Sequence, residues 1–149
     1  MALEFANGAS LRSFPNEDEQ MKQILLADDN EAITGLIAFY LKRQGYVATT
    51  CDNGEDALQL GTTQAFDLLL LDQQMPRLTG TEVLAEIRTR GPNRHKPAVL
   101  CTAIANQLDL ETLVPQLLIN RVVEKPFSPQ DLIDIIFGLV CEEEPVANA

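Results

Sequence analysis

Residues 66–80, FDLLLLDQQMPRLTG, decide the fold. Leu68 to Leu71 form a wholly apolar run with no helical period, which suits a central strand buried on both faces of a parallel sheet. Asp72 ends the run, and the carboxyl end of such a strand is where open α/β sheets place their ligand sites. Pro76 and Gly80 then turn the chain, and EVLAEI, Glu82 to Ile87, starts a helix that runs to about Arg90. An aspartate after a strand also commonly caps a turn. What Asp72 does therefore depends on what the rest of the chain brings to it.

Upstream, Gln23 to Ala27 is an apolar strand running straight into Asp28-Asp29-Asn30. Such residues also favour a helix start, and a helix begins near Glu31. It carries Ile33, Leu36, Ile37, Tyr40 and Leu41 at three-four spacing and stops at Gly45. Val47 to Cys51 is a second strand. Asp52-Asn53-Gly54-Glu55 then turns into a short helix carrying Ala57, Leu58 and Leu60, ending near Gly61.

Downstream, Gly91-Pro92-Asn93 breaks the chain, and Ala98 to Cys101 is a fourth strand that ends at Thr102-Ala103. Residues 104–120 are helical in pattern, but a proline inside a helix costs about 3 kcal/mol. Pro115 therefore predicts a short helix followed by a kink or break. Arg121 to Val123 is a brief fifth strand. After Glu124-Lys125-Pro126-Phe127, Ser128 caps a last helix with Pro129 first and Asp131 third. Its apolar side is Leu132, Ile133, Ile135, Ile136 and Leu139. Five strands alternating with five helices predict a doubly wound parallel sheet covered on both faces.

A chain of 149 residues fits one domain. The division expected is a flexible N-terminal arm over 1–20, a folded domain over 21–141 and an acidic C-terminal tail over 142–149. No output domain is expected in the nine residues after Val140. The apolar runs are too short to span a bilayer and no signal-peptide pattern opens the chain, so a cytoplasmic location is expected. The net charge of −11 argues against binding a nucleic-acid backbone. Seven acids and one arginine in the two tails contribute −6 of it, leaving −5 for the body. Cys51, Cys101 and Cys141 are widely spaced, and His95 is the only histidine. That pattern supports neither a disulfide framework nor a zinc site, and buried, reduced thiols are expected.

Asp28, Asp29, Asp72, Thr102 and Lys125 thus sit at strand ends in an otherwise apolar sheet. All carboxyl ends of a parallel sheet share one edge, so these groups converge. Three carboxylates brought together need a compensating cation. Oxygen-only ligands with open positions suit Mg²⁺, which keeps waters that a phosphate can replace. Lys125 is then a point charge for a phosphoryl oxygen and Thr102 a hydroxyl donor. Asp72 is the candidate nucleophile, since carboxylates form aspartyl phosphates when a metal and a lysine neutralise the incoming group. Taken singly, Thr102 also reads as a capping hydroxyl and Lys125 as a solvated side chain.

The chain resembles the receiver domain of two-component response regulators over roughly Gln23 to Val140. The matching pieces are Asp28-Asp29, the turn and helix from Asn53 to Leu58, Leu71-Asp72 followed by Met75-Pro76 and Gly80, Thr102-Ala103, and Lys125-Pro126-Phe127. The resemblance implies a flavodoxin-like sheet of order 2-1-3-4-5. It implies that Asp72 accepts a phosphoryl group from a histidine kinase or a histidine phosphotransfer protein and passes the signal to an effector protein or an output domain outside this chain. Asp29 and Asp72 would bind Mg²⁺ directly with the backbone carbonyl of Gln74, Asp28 would act through a water, and Thr102 and Lys125 would hold the phosphoryl oxygens.

The sequence also departs from that pattern. Val122 stands where the family usually carries an aromatic residue that swings inward on phosphorylation, so an aromatic rotamer switch is not expected. Gln73 replaces a commonly apolar residue. Gln74 occupies a position that tunes phosphoryl lifetime, and Ile104 makes the mouth of the site more apolar. Pro115 disturbs the fourth helix, part of a face many receivers use for partners. Two other readings compete: a degenerate receiver that binds proteins without phosphorylation, and a phosphatase with an aspartyl nucleophile. Phosphatases of the haloacid dehalogenase group carry a D-x-D pattern on their first strand, and here that strand ends in Asp-Asp. A dinucleotide-binding fold lacks support, because no Gly-rich loop follows the first strand.

Overall fold

The computed structural model describes residues 21–142; the arm read over 1–20 and the tail beyond Glu142 lie outside them. Five strands, β1 (Gln23–Ala27), β2 (Val47–Cys51), β3 (Leu68–Asp72), β4 (Ala98–Thr102) and β5 (Arg121–Glu124), alternate with five helices. These are α1 (Glu31–Arg43), α2 (Gly54–Thr63), α3 (Gly80–Ile87), α4 (Leu110–Leu117) and α5 (Pro129–Glu142). The sheet is parallel throughout, in the order β2-β1-β3-β4-β5. This is the doubly wound arrangement that the alternation predicts.

The pleat sorts the core into two layers, because successive strand side chains point to opposite faces. Ile24, Leu26, Leu68, Leu70, Val99 and Cys101 pack with α1 and α5. Leu25, Ala27, Leu69, Leu71, Ala98 and Leu100 pack with α2, α3 and α4. Both layers need apolar side chains, so β3 and β4 are buried at every residue. Among the described residues no helix is long and apolar enough to cross a membrane.

Three helices differ from expectation. Gly61 does not end α2, which continues to Thr63; a Cβ at Gly61 would collide with Cδ1 of Ile87, so this glycine lets α2 and α3 pack closely. Helix α3 starts at Gly80, two residues earlier than read, because Thr79 and Glu82 form a reciprocal capping box. It ends at Ile87, short of Arg90. Residues Ala105–Gln107 form a 3₁₀ turn, and α4 passes through Pro115 before stopping at left-handed Leu118. Pro115 lies inside α4, where its missing N–H leaves the Glu111 carbonyl without the usual donor four residues on, and the helix runs only two residues further. Cys51 is half-buried and Cys101 buried, but Cys141 is exposed on the last turn of α5, unlike the buried thiol expected; all three are free.

The amino edge of the sheet is held by one fully buried amide. Asn93 Nδ2 donates to the carbonyls of Gly61 (2.7 Å) and Gln64 (2.8 Å), and Oδ1 accepts from the Phe66 N–H (2.8 Å). Those are three otherwise orphaned backbone groups at the α2–β3 connection. Asn93→Ala is expected to lower unfolding free energy by about 3 kcal/mol, since each unsatisfied buried group costs ~1–3 kcal/mol. Urea titration followed by circular dichroism checks this, and a loss below about 1 kcal/mol would contradict it.

Candidate functional site

At the opposite, carboxyl edge the strand ends bring charged groups together. Asp28 follows β1, with its N–H bonded to the Cys51 carbonyl at 3.1 Å. Asp72 is the last residue of β3, and Lys125 follows β5 with its N–H bonded to the Thr102 carbonyl at 2.9 Å. Asp28, Asp72 and Lys125 continue the alternation of Leu26, Leu70 and Val123, all on the α1/α5 face. This shared parity lets Lys125 Nζ reach Asp28 Oδ2 at 3.0 Å and Asp72 Oδ1 at 3.1 Å. The Lys125–Pro126 peptide is cis. Thr102 continues Leu100 on the other face, is fully buried, and its hydroxyl accepts from the Ile104 N–H at 2.9 Å.

The acidic pair does not cap α1. Asn30 does, accepting from the N–H groups of Ala32 and Ile33. Asp28 is buried, its second oxygen taking the Asn30 N–H at 2.9 Å, and Asp29 is exposed. Asp28, Asp29 and Asp72 each present a carboxylate oxygen, all within 4.8 Å of one another. Burial, and then the charge of Asp28, push the Asp72 carboxyl up from 3.8 to about 6, although Lys125 pulls the other way. Burial alone would lower the Lys125 pKa, but its bonds to Asp28 and Asp72 outweigh that and raise it. Asp28 and Asp72 therefore share one ammonium, with Asp29 a third carboxylate beside them. That deficit and the all-oxygen donor set fit a hard divalent ion such as Mg²⁺.

Of the residues singled out from sequence, Asp28, Asp29, Asp72 and Lys125 converge, and Thr102 ends the strand between Asp72 and Lys125. Gln74 lies two residues past Asp72 on the exposed surface. Two features were missed. Gly80 is more than a turn residue, because a Cβ there would lie 2.6 Å from the Asp72 carbonyl oxygen; only glycine lets α3 start against the end of β3. Gly54 likewise lets α2 abut the backbone of Leu78 in the β3–α3 loop. Glycines just before helical patterns were the available signal. Beside the site, an apolar groove of ≈510 Å³ is lined by Ile33, Leu36, Ala103, Lys125, Pro126 and Phe127.

Comparison with known proteins agrees with this geometry. Residues 24–137 match the family model described as the response regulator receiver domain. The chain is 35% identical over 111 residues to the alkaline phosphatase synthesis transcriptional regulatory protein PhoP of Bacillus subtilis, covering 74% of this chain and 45% of that protein. It is 34% identical over 128 residues to the CpxR homolog of Haemophilus influenzae, covering 86% and 54%. The chain thus spans about half the length of the curated relatives it matches. Among solved structures, the receiver domain of the sensor histidine kinase PA1611 of Pseudomonas aeruginosa, which has a magnesium ion coordinated in its active site cleft, is 30% identical with a TM-score of 0.72, covering 82% of this chain and 99% of that one. A CheY-like receiver domain of Methanospirillum hungatei shares the fold at 24% identity and a TM-score of 0.75, covering 83% and 96%.

The raised Asp72 pKa has a stability consequence. Between 3.8 and about 6 the folded chain holds a proton that the unfolded chain has lost, so this group makes stability fall as pH rises through that window. Asp72→Asn is therefore expected to stabilise the ion-free protein by roughly 2 kcal/mol at pH 7, with the gain vanishing towards pH 4. Urea unfolding in EDTA at several pH values measures it; a pH-independent difference would contradict the assignment.

Proposed function

The chain belongs to the response regulator receiver domain family, and from that premise we propose that Asp72 accepts a phosphoryl group from a phosphohistidine of a histidine kinase or a histidine phosphotransfer protein. The observation that carries this reading is Lys125 Nζ, set within 3.1 Å of both Asp28 and Asp72 at the mouth of the sheet. An ammonium so placed meets the oxygens of a phosphoryl group arriving at Asp72. Mg²⁺, held by Asp29 and Asp72 with the Gln74 carbonyl and by Asp28 through a water, would neutralise charge on those oxygens.

In the transfer, a carboxylate oxygen of Asp72 attacks phosphorus. The P–N bond breaks, its electron pair stays on the imidazole nitrogen, and the departing ring gains a proton from water. Lys125 exchanges its Asp72 contact for a phosphoryl oxygen, and the Thr102 hydroxyl donates to another. Water later cleaves the P–O bond, releasing inorganic phosphate and restoring the carboxylate. The chain acts as a signalling acceptor, with no other substrate to turn over. The phosphodonor docks over the apolar groove beside Lys125, which exposed Leu36 of α1 lines.

Relatives of this chain carry the names of transcriptional regulators and extend well beyond the region matched. Output is therefore assigned to an effector or an attached domain rather than to nucleic-acid contact by this acidic domain. Folded over residues 21–141 and acting in the cytoplasm, the receiver passes its state on by pulling the Thr102 loop inward. That shifts a pre-existing equilibrium of α4 and β5.

Incubation with acetyl phosphate and Mg²⁺ is expected to give one base-labile phosphoryl adduct by intact-mass spectrometry, absent without Mg²⁺ and in Asp72→Asn. If acetyl phosphate and a cognate phosphohistidine donor both leave Asp72 unmodified, the degenerate receiver becomes the better reading. In Lys125→Ala, phosphorylation is expected to leave amide hydrogen exchange in α4 and β5 unchanged. A native-sized change in that variant would sink the proposed coupling.

A further inference from the structure

The amide that follows Asp72 is bonded through every polar group it has. The Gln73 N–H donates to the Cys101 carbonyl at 2.8 Å, and its carbonyl accepts from the Gly80 N–H at 3.1 Å. Its side-chain Oε1 accepts from the Thr81 N–H at 2.9 Å, and Nε2 donates to Thr81 Oγ1 at 3.1 Å. Gln73 is 6% exposed. The β3–α3 excursion thus closes on itself, its first residue tied to two successive residues of the first turn of α3. That helix is anchored in the core by Val83, Leu84 and Ile87. Gln74, the next residue, begins at the Gln73 carbonyl that Gly80 holds.

We infer that Gln73 is a positioning residue: its two-point bond to Thr81, with the Gly80 N–H on its carbonyl, fixes the 73–74 peptide from which Gln74 leads off, and so aims the Gln74 carbonyl at the divalent cation and sets cation affinity. The inference rests on the acidic site being a Mg²⁺ site, as proposed above. An apolar side chain of similar length fills the same volume but leaves the Thr81 N–H unpaired and the loop free to turn the carbonyl away. Groups that orient metal ligands from behind commonly change affinity 10–100-fold when removed.

The test is isothermal titration of the whole chain with Mg²⁺ alone, comparing native protein with Gln73→Met, Thr81→Val and Thr81→Ser. Gln73→Met is expected to weaken Mg²⁺ binding about tenfold. Thr81→Val, which keeps the backbone half of the clamp, weakens it less, and Thr81→Ser keeps native affinity. In acetyl phosphate reactions Gln73→Met then needs more Mg²⁺ for half-maximal rate yet reaches the native rate at saturation, a split that general loosening of the fold would not produce. Native affinity in Gln73→Met overturns the inference; if that variant does not fold, native affinity in Thr81→Val does so. Mg²⁺ binding by native chain without phosphorylation removes the phosphoacceptor reading while leaving the clamp to be decided by the titrations. Absence of Mg²⁺ binding to the native chain overturns the clamp together with the metal site.

Discussion

Asp28 and Asp72 are almost wholly withdrawn from water, and the same ammonium, on Lys125, serves both. Removing an ion from water costs several kcal/mol, and one cation cannot repay that for two anions, with Asp29 close by as a third. The arrangement is stable only because the surrounding sheet fixes it: three strand ends with the same pleat parity leave these side chains nowhere else to go. The carboxyl edge is thus held in a state of excess negative charge that the apolar core maintains. That excess makes a divalent cation and a phosphoryl group, bound together, a more balanced occupant than either the bare carboxylates or a phosphate alone.

The sheet was legible because burial on two faces leaves a strong trace. LLLL before Asp72 and the short apolar runs of β1 and β4 read directly as strands, and their carboxyl-edge polar residues read as a cluster. What did not read was governed by contacts between segments far apart in sequence. Gly61 looks like a helix stop until Ile87 is seen pressing on it. Pro115 looks like a break until α4 proves to end only two residues later. Gln73 was visible as an oddity, an amide in an apolar position, but its partner Thr81 lies across a loop whose closure no local pattern records. Asn93 passed as a turn residue, since three of its bonds reach back to residues 61–66.

Helix α4 buries little of itself and is uncapped at its start. Leu117 is the only buried residue of α4, and its N-cap, Asp109, makes no side-chain capping bond. The C-terminal end is different. Arg88 Nε bonds the Leu117 carbonyl at 2.8 Å and Nη2 the Leu118 carbonyl at 3.0 Å, while Nη1 bonds carbonyls of Asn93 and Arg94. Burial pulls the pKa of this guanidinium down to about 10, still well charged at neutral pH. Val122, half-buried on β5, packs against the layer that includes Leu117 of α4. Local stability follows such contacts, and in α4 they gather at the C-terminal end that Arg88 bonds.

Arg88 and the Asn93 amide gather buried and half-buried hydrogen bonds at the amino edge of the sheet. The amino edge is clamped, by an asparagine with no exposure and by the arginine that shares its carbonyl. The carboxyl edge has its own tie in the Gln73–Thr81 bonds, but there two buried carboxylates share one ammonium. Asp72 lies at the far end of β3 from the Phe66 N–H that the Asn93 amide holds. The amide that looks like a turn residue thus anchors the end of the sheet opposite the acidic cluster.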